Sequence, residues 1–139
     1  MIKELNKMLA DLNVLNVKIH TFHYNVVGHD FYPTHKFLEE EFELITNYID
    51  EVAEEIKIQG SFPLGTIKEM MEVSTVLEFT SKDYESKVAY SELVKDYEML
   101  INSCRKIRGM EVNQSTEDMV NDIEGVLGKK LWFMKATIK

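Results

Sequence analysis

Apolar residues recur every three or four positions along most of this chain. Leu5, Leu12, Leu15, Ile19, Phe22 and Val26 mark one face over residues 3–27, which predicts a first helix. Gly28 and the segment "GHDFYP" break that pattern, and Pro33 suits the first turn of a second helix. The second helix is predicted to reach about Gln59, where Gly60 stops it. "GSFPLG", residues 60–65, reads as a loop, and "TIKEMMEVSTVLEF" as holding a short helix opened by a Thr66–Glu69 capping pattern. A third long helix is predicted from about Ser81 to Arg108, with Tyr84, Val88, Tyr97, Leu100, Ile101, Cys104 and Ile107 on its apolar stripe. After "GMEVNQS" a fourth runs to the chain end, with Ser115 as N-cap and Asp118 at the third helical position. Gly125 and Gly128 lie inside it and cost ~1 kcal/mol each relative to Ala. The pattern predicts an all-α fold: one domain over residues 1–139, a four-helix bundle with a short extra helix between the second and third long helices. The connection over 60–80 is long enough to cross that bundle.

Composition agrees and narrows the classes of function. Hydrophobic residues make up 45% of the chain, enough for a packed core, and only six Gly and two Pro interrupt it. No apolar run approaches membrane-spanning length. The N-terminal segment is amphipathic, without the apolar core or cleavage site of a signal peptide. Cys104 is the sole cysteine, so no internal disulfide forms, and a cytoplasmic protein is expected. A net charge of −8 argues against broad nucleic-acid binding. No Lys/Arg-rich arm is visible either, since only Lys3 and Lys7 precede Lys18. Lys129, Lys130, Lys135 and Lys139 read as the basic end of a helix complementing its dipole.

The predicted second helix carries the chemistry. With His35 set at zero on a helical wheel, Leu38, Phe42, Ile45, Ile49, Val52 and Ile56 fall at roughly 260–340° and form the core face. Glu39, Asp50 and Glu54 fall at roughly 40–100°, a polar stripe beside His35, and Glu43 shares that angle. Glu40, Glu51 and Glu55 lie further round and read as a solvated face. Surface charge alone would explain acids at such spacing. A metal site would need donors within about 2.0–2.3 Å of one ion. His35 with Glu39, or Asp50 with Glu54, satisfies that, but His35 and Asp50 stand about 22 Å apart along a straight helix. Each pair therefore finds partners elsewhere in its own chain, or two copies of the helix meet antiparallel about a twofold axis near residues 43–47 and build two equivalent sites. His23, near the end of the first helix, can complete the imidazole side. No Glu-x-x-His occurs, and the third and fourth helices hold no histidine, which argues against a di-iron site inside one bundle. Imidazole and carboxylate donors suit Fe(II), Mn or Zn.

"FHYNVVGHDF…HKFLEEEFE…YIDEVAEEI" resembles the Dps mini-ferritins of the ferritin-like superfamily, the DNA-binding proteins from starved cells. The offsets from His23 to His35, from His35 to Asp50 and from Asp50 to Glu54 all match that family's pattern, and "LNVKIHTFHYNVVG" and "LWFMKA" extend the likeness over nearly the whole chain. The resemblance implies a hollow twelve-subunit shell that oxidises Fe(II), usually with hydrogen peroxide, and stores Fe(III) mineral. It implies metal sites at twofold interfaces, with His23, His35 and Glu39 from one subunit and Asp50 and Glu54 from its neighbour. Iron is the expected metal, hydrogen peroxide or oxygen the expected oxidant, and duplex DNA is not an expected partner.

Several positions depart from the family pattern. Tyr24 stands where Trp is usual beside the first histidine and can still pass a single electron. Glu39 replaces a common Asp, Glu55 a frequent Arg, adding negative charge near the site, and Gly128 a frequent Glu. His20 and His29 match no ligand position. Ser115–Asp122 resembles the segment near the family's threefold pores, where Asp118 would attract Fe(II); the same residues also read as the ordinary acidic start of a helix. Three candidate functions remain to be separated: a ferroxidase and storage shell, a DNA-compacting protein, and a shell without chemistry acting as a surface antigen.

Overall fold

A run of strong helix formers punctuated by few breakers folds into long helices, and a computed structural model describes them over residues 1–139. The elements are α1 (Ile2–Asn25), β1 (Val26–Val27), α2 (Phe31–Ile58), α3 (Ile67–Val73), β2 (Tyr84–Glu85), α4 (Ser86–Arg108) and α5 (Gln114–Thr137). The four long helices form a ring in which α1 packs on α2, α2 on α5, α5 on α4 and α4 on α1. The expected all-α bundle with a short extra helix is what the chain adopts.

Strands β1 and β2 are two residues each and pair in parallel, Val26 with Tyr84 and Val27 with Glu85. That pairing puts the start of α4 at the same end of the bundle as the start of α2. Helices α2 and α4 therefore run parallel, and residues 59–85 travel the bundle's length between them. Helix α3 packs against α1 on that path. Its capping box is present as expected: Glu69 N–H donates to Thr66 Oγ1 at 3.1 Å and Thr66 N–H to Glu69 Oε1 at 3.0 Å. Asp11, wholly buried on α1, fastens the segment after α3, accepting from Ser74 Oγ at 2.9 Å and from Thr75 N–H at 2.8 Å.

Three boundaries differ from the periodicity. Helix α1 stops at Asn25 because Val26 is extended (φ −65°, ψ 142°) and pairs with β2. Helix α4 starts at Ser86 rather than Ser81, since Tyr84 and Glu85 belong to that same pair. The N-cap of α5 is Asn113, whose side chain accepts from Thr116 N–H at 3.1 Å; the Ser115 hydroxyl is already spent on Glu55 at 2.7 Å. Val88, placed on the apolar stripe by spacing, is exposed. Leu5, Leu12, Leu15, Ile19, Phe22, Leu38, Ile45, Val52 and Ile56 are buried in one core as expected, while Phe42 and Ile49 sit at its edge.

Candidate metal centre

Helix α1 delivers His23 on its last turn and α2 delivers His35 on its second, across a corner of residues 26–30. Gly28 turns that corner with φ +121°, a conformation that disfavours any side chain. The two imidazoles stack at 3.8 Å between centroids and 15° between planes. His23 Nδ1 lies 2.9 Å from the His35 carbonyl, and His35 Nδ1 lies 2.8 Å from the His23 carbonyl. A carbonyl only accepts, so each Nδ1 carries the proton and each Nε2 presents a lone pair. This is the tautomer a metal-ligating histidine needs, held by backbone rather than by chance rotamers. His23 is buried, and that burial holds its imidazole below its ordinary pKa. It stays neutral, and able to ligate, at lower pH than a free histidine.

Other aromatic rings brace the pair. Phe42 meets His23 edge-on at 5.1 Å and stacks on His20 at 4.0 Å, and Phe31 stacks on His35 at 5.0 Å. His20 Nδ1 is itself committed to the Asn16 carbonyl at 2.7 Å. Tyr24 is exposed, with its ring 5.2 Å from His23. His29 is exposed at the corner.

Glu39 sits one turn beyond His35, half-buried, in an ion pair with the exposed Lys36 at 3.2 Å. Asp50 and Glu54 are exposed further along the same unbroken helix. A hydrogen bond to Asp50, together with its charge, raises the Glu54 carboxyl above its ordinary value. Two carboxylates that resist ionising together are relieved by a shared cation. No three His, Cys, Asp or Glu side chains of one chain converge. The structure brings His23 to His35 and Asp50 to Glu54, and leaves the two groups at separate ends of α2. Two imidazole nitrogens and carboxylate oxygens, with no thiolate, form a donor set that fits Fe(II).

One acid on this helix is not where the wheel put it. Glu55 is buried rather than solvated, because the start of α5 lands on it. Its Oε1 accepts from Ser115 Oγ at 2.7 Å, Thr116 Oγ1 at 2.8 Å and Gln59 Nε2 at 2.9 Å. Burial pushes the carboxyl up, and these three donors together hold it below its ordinary value. Asp118 is exposed and borders a shallow cleft of about 430 Å³ with Glu51, Glu54, Glu55 and Asp122. No helix is long and apolar enough to cross a membrane.

The sequence profile of the ferritin-like domain matches residues 2–139. DNA protection during starvation protein 2 of Bacillus anthracis is 36% identical over 97% of this chain and 94% of its own length. The crystal structure of Dps from Staphylococcus aureus superposes with a TM-score of 0.93 at 31% identity, covering 99% of this chain and 94% of that one. Antigen TpF1 from Treponema pallidum superposes with a TM-score of 0.96 at 28% identity, covering 99% and 90% respectively.

Proposed function

Because the chain belongs to the ferritin-like domain family and, within it, to the Dps proteins, we propose that it is a ferroxidase that stores iron, with sites completed between subunits. Iron storage and Fe(II) oxidation are properties of that family, and its members assemble as homo-oligomeric shells. In the proposed site, His23, His35 and Glu39 of one subunit and Asp50 and Glu54 of its neighbour bind Fe(II) as substrate. The observation that carries this reading is the reciprocal bonding of His23 and His35, which leaves both Nε2 atoms free and fixed.

Two Fe(II) each release one electron; one hydrogen peroxide takes both, with two protons, and leaves as two waters. The histidines hold the substrate without changing charge, and the carboxylates offset the extra positive charge of the oxidised product. Tyr24, beside His23, is placed to pass a single electron at the site's rim. Twelve subunits would enclose the mineral, and Asp118, in its acidic cleft, would draw Fe(II) towards the interior. DNA protection, the property in the Bacillus anthracis relative's name, would then come from removing Fe(II) and peroxide together. With a charge of −8, direct duplex binding is not expected; a salt-sensitive gel shift at submicromolar protein would reinstate it.

The test is stopped-flow oxidation of Fe(II) by peroxide. His35→Ala and Asp50→Ala should each abolish the fast phase while the assembly keeps its size. An unchanged fast rate in either variant removes that residue from the site.

A further inference from the structure

Helices α2 and α4 face each other diagonally across the bundle, and α4 supplies none of the proposed ligands. Three side-chain hydrogen bonds nevertheless join them, the first half-buried at the bundle's end and the other two in the core. Ser86 Oγ donates to Asp30 Oδ2 at 2.5 Å, Tyr90 Oη to Thr34 Oγ1 at 3.2 Å, and Tyr97 Oη to Glu41 Oε1 at 2.8 Å. Each pair is 56 residues apart in sequence, so the rungs share one parallel register. On α2 they fall at the N-cap, beside His35 and just past Glu39, bracketing the turns that carry the half-site.

Asp30 makes the pattern informative. It occupies the N-cap position of α2, where an aspartate ordinarily accepts from its own helix, yet its side chain makes no capping bond. It reaches across to Ser86 instead, where the anion also faces the start of α4. The second rung is sealed from water, with Tyr90 and Thr34 both buried. The other leg of the corner is tied to the same place, since Val26, three residues after His23, is buried and pairs with Tyr84. One leg of the histidine corner thus hangs on β2 and the other on the first turns of α4, which directly follows it. Any slide or rotation of α2 would carry the His35 carbonyl away from His23 Nδ1 and release both rings.

We infer that Ser86 and Tyr90 are positioning residues for the Fe(II) half-site, acting through Asp30 and Thr34 to set α2 in the register that locks His23 against His35. The inference rests on the site proposed above. It is tested on the assembled protein with Co(II) as a spectroscopic probe of the bound-metal geometry. Ser86→Ala and Tyr90→Phe, singly and together, should leave shell size and helical circular dichroism unchanged. The double variant should bind Co(II) about tenfold more weakly with displaced visible bands. Ser86→Thr, which keeps the hydroxyl, should restore the wild-type spectrum to the Ser86 position. A lower Tm with wild-type Co(II) affinity and bands would overturn the inference and leave the ladder a purely stabilising device. His35→Ala separates the two claims: if it too leaves the Co(II) bands intact, the site reading falls and takes this inference with it. If His35→Ala removes the bands while the ladder variants keep them, only the inference falls.

Discussion

Cys104 is the chain's sole thiol, has no exposure, and is pushed up to about 12 by burial, with Glu124 adding to the effect. It should resist an alkylating reagent at pH 8 in the folded protein and react fully in denaturant; mass spectrometry of the two samples decides this. Glu124 illustrates the opposite shift. Arg108 at 2.6 Å, joined by Arg105 at 3.0 Å, holds its carboxyl below the ordinary 4.5. A carboxyl whose folded value is depressed adds stability above its unfolded value and loses it as pH falls through the folded one. Glu124→Gln should therefore show a smaller drop in Tm than the wild type as pH falls below about 4.5, and the difference should shrink in high salt. A parallel acid limb in both proteins would show that the α4–α5 ion pairs contribute nothing. Residues such as His23 and His35 were legible because imidazoles are scarce and their offset is fixed by two helix ends. Glu55 was not: its wheel angle is that of a solvated acid, and only the landing of Ser115 and Thr116, sixty residues later, buries it.

The helices themselves follow the apolar periodicity, and so does α3 with its capping box, because those signals are local. What the periodicity misplaced are ends set by long-range pairing. Residues 26–27 and 84–85 continue helical patterns on either side, yet they pair with each other and shorten α1 and α4. The same holds for α5, whose cap moved to Asn113 once Ser115 was committed elsewhere. The connection 59–85 holds few buried apolar residues and is fastened by polar groups, above all Asp11. Asp11→Ala removes the acceptor of the Ser74 hydroxyl and the Thr75 N–H, at about 0.5–1.5 kcal/mol per bond. Urea unfolding should show that loss, and amide exchange should quicken across α3 and residues 74–76 more than in α2. Uniform protection in the variant would mean the connection is held by α3's own packing instead.

At the scale of the whole molecule, apolar groups remain uncovered on one side of α1. Val17 and Tyr24 stand two helical turns apart on one line of the helix, both exposed, and exposed Ile67 and Met71 of α3 share a cleft with Val17. This face adjoins the histidine half-site, where the proposed site calls for a second subunit. The family likeness implies a shell; which element touches which neighbour depends on copies of the chain that one sequence does not describe. The division of α2 into a histidine end and an acid end has a genetic consequence. A site made from two subunits can be repaired by mixing two broken ones. If the site is shared as proposed, chains with His23→Ala and His35→Ala, co-refolded in equal amounts with chains carrying Asp50→Ala and Glu54→Ala, should form mixed pairs with one dead interface site and one wholly intact. About a quarter of the wild-type sites should reappear, and with them a quarter of the fast Fe(II) oxidation, where each variant alone has none. No recovery in shells that demonstrably contain both chains would mean the donors close within a subunit. If activity returns, two inactivating alleles of this gene would complement each other in one cell, and neither would be read as a null in the presence of the other.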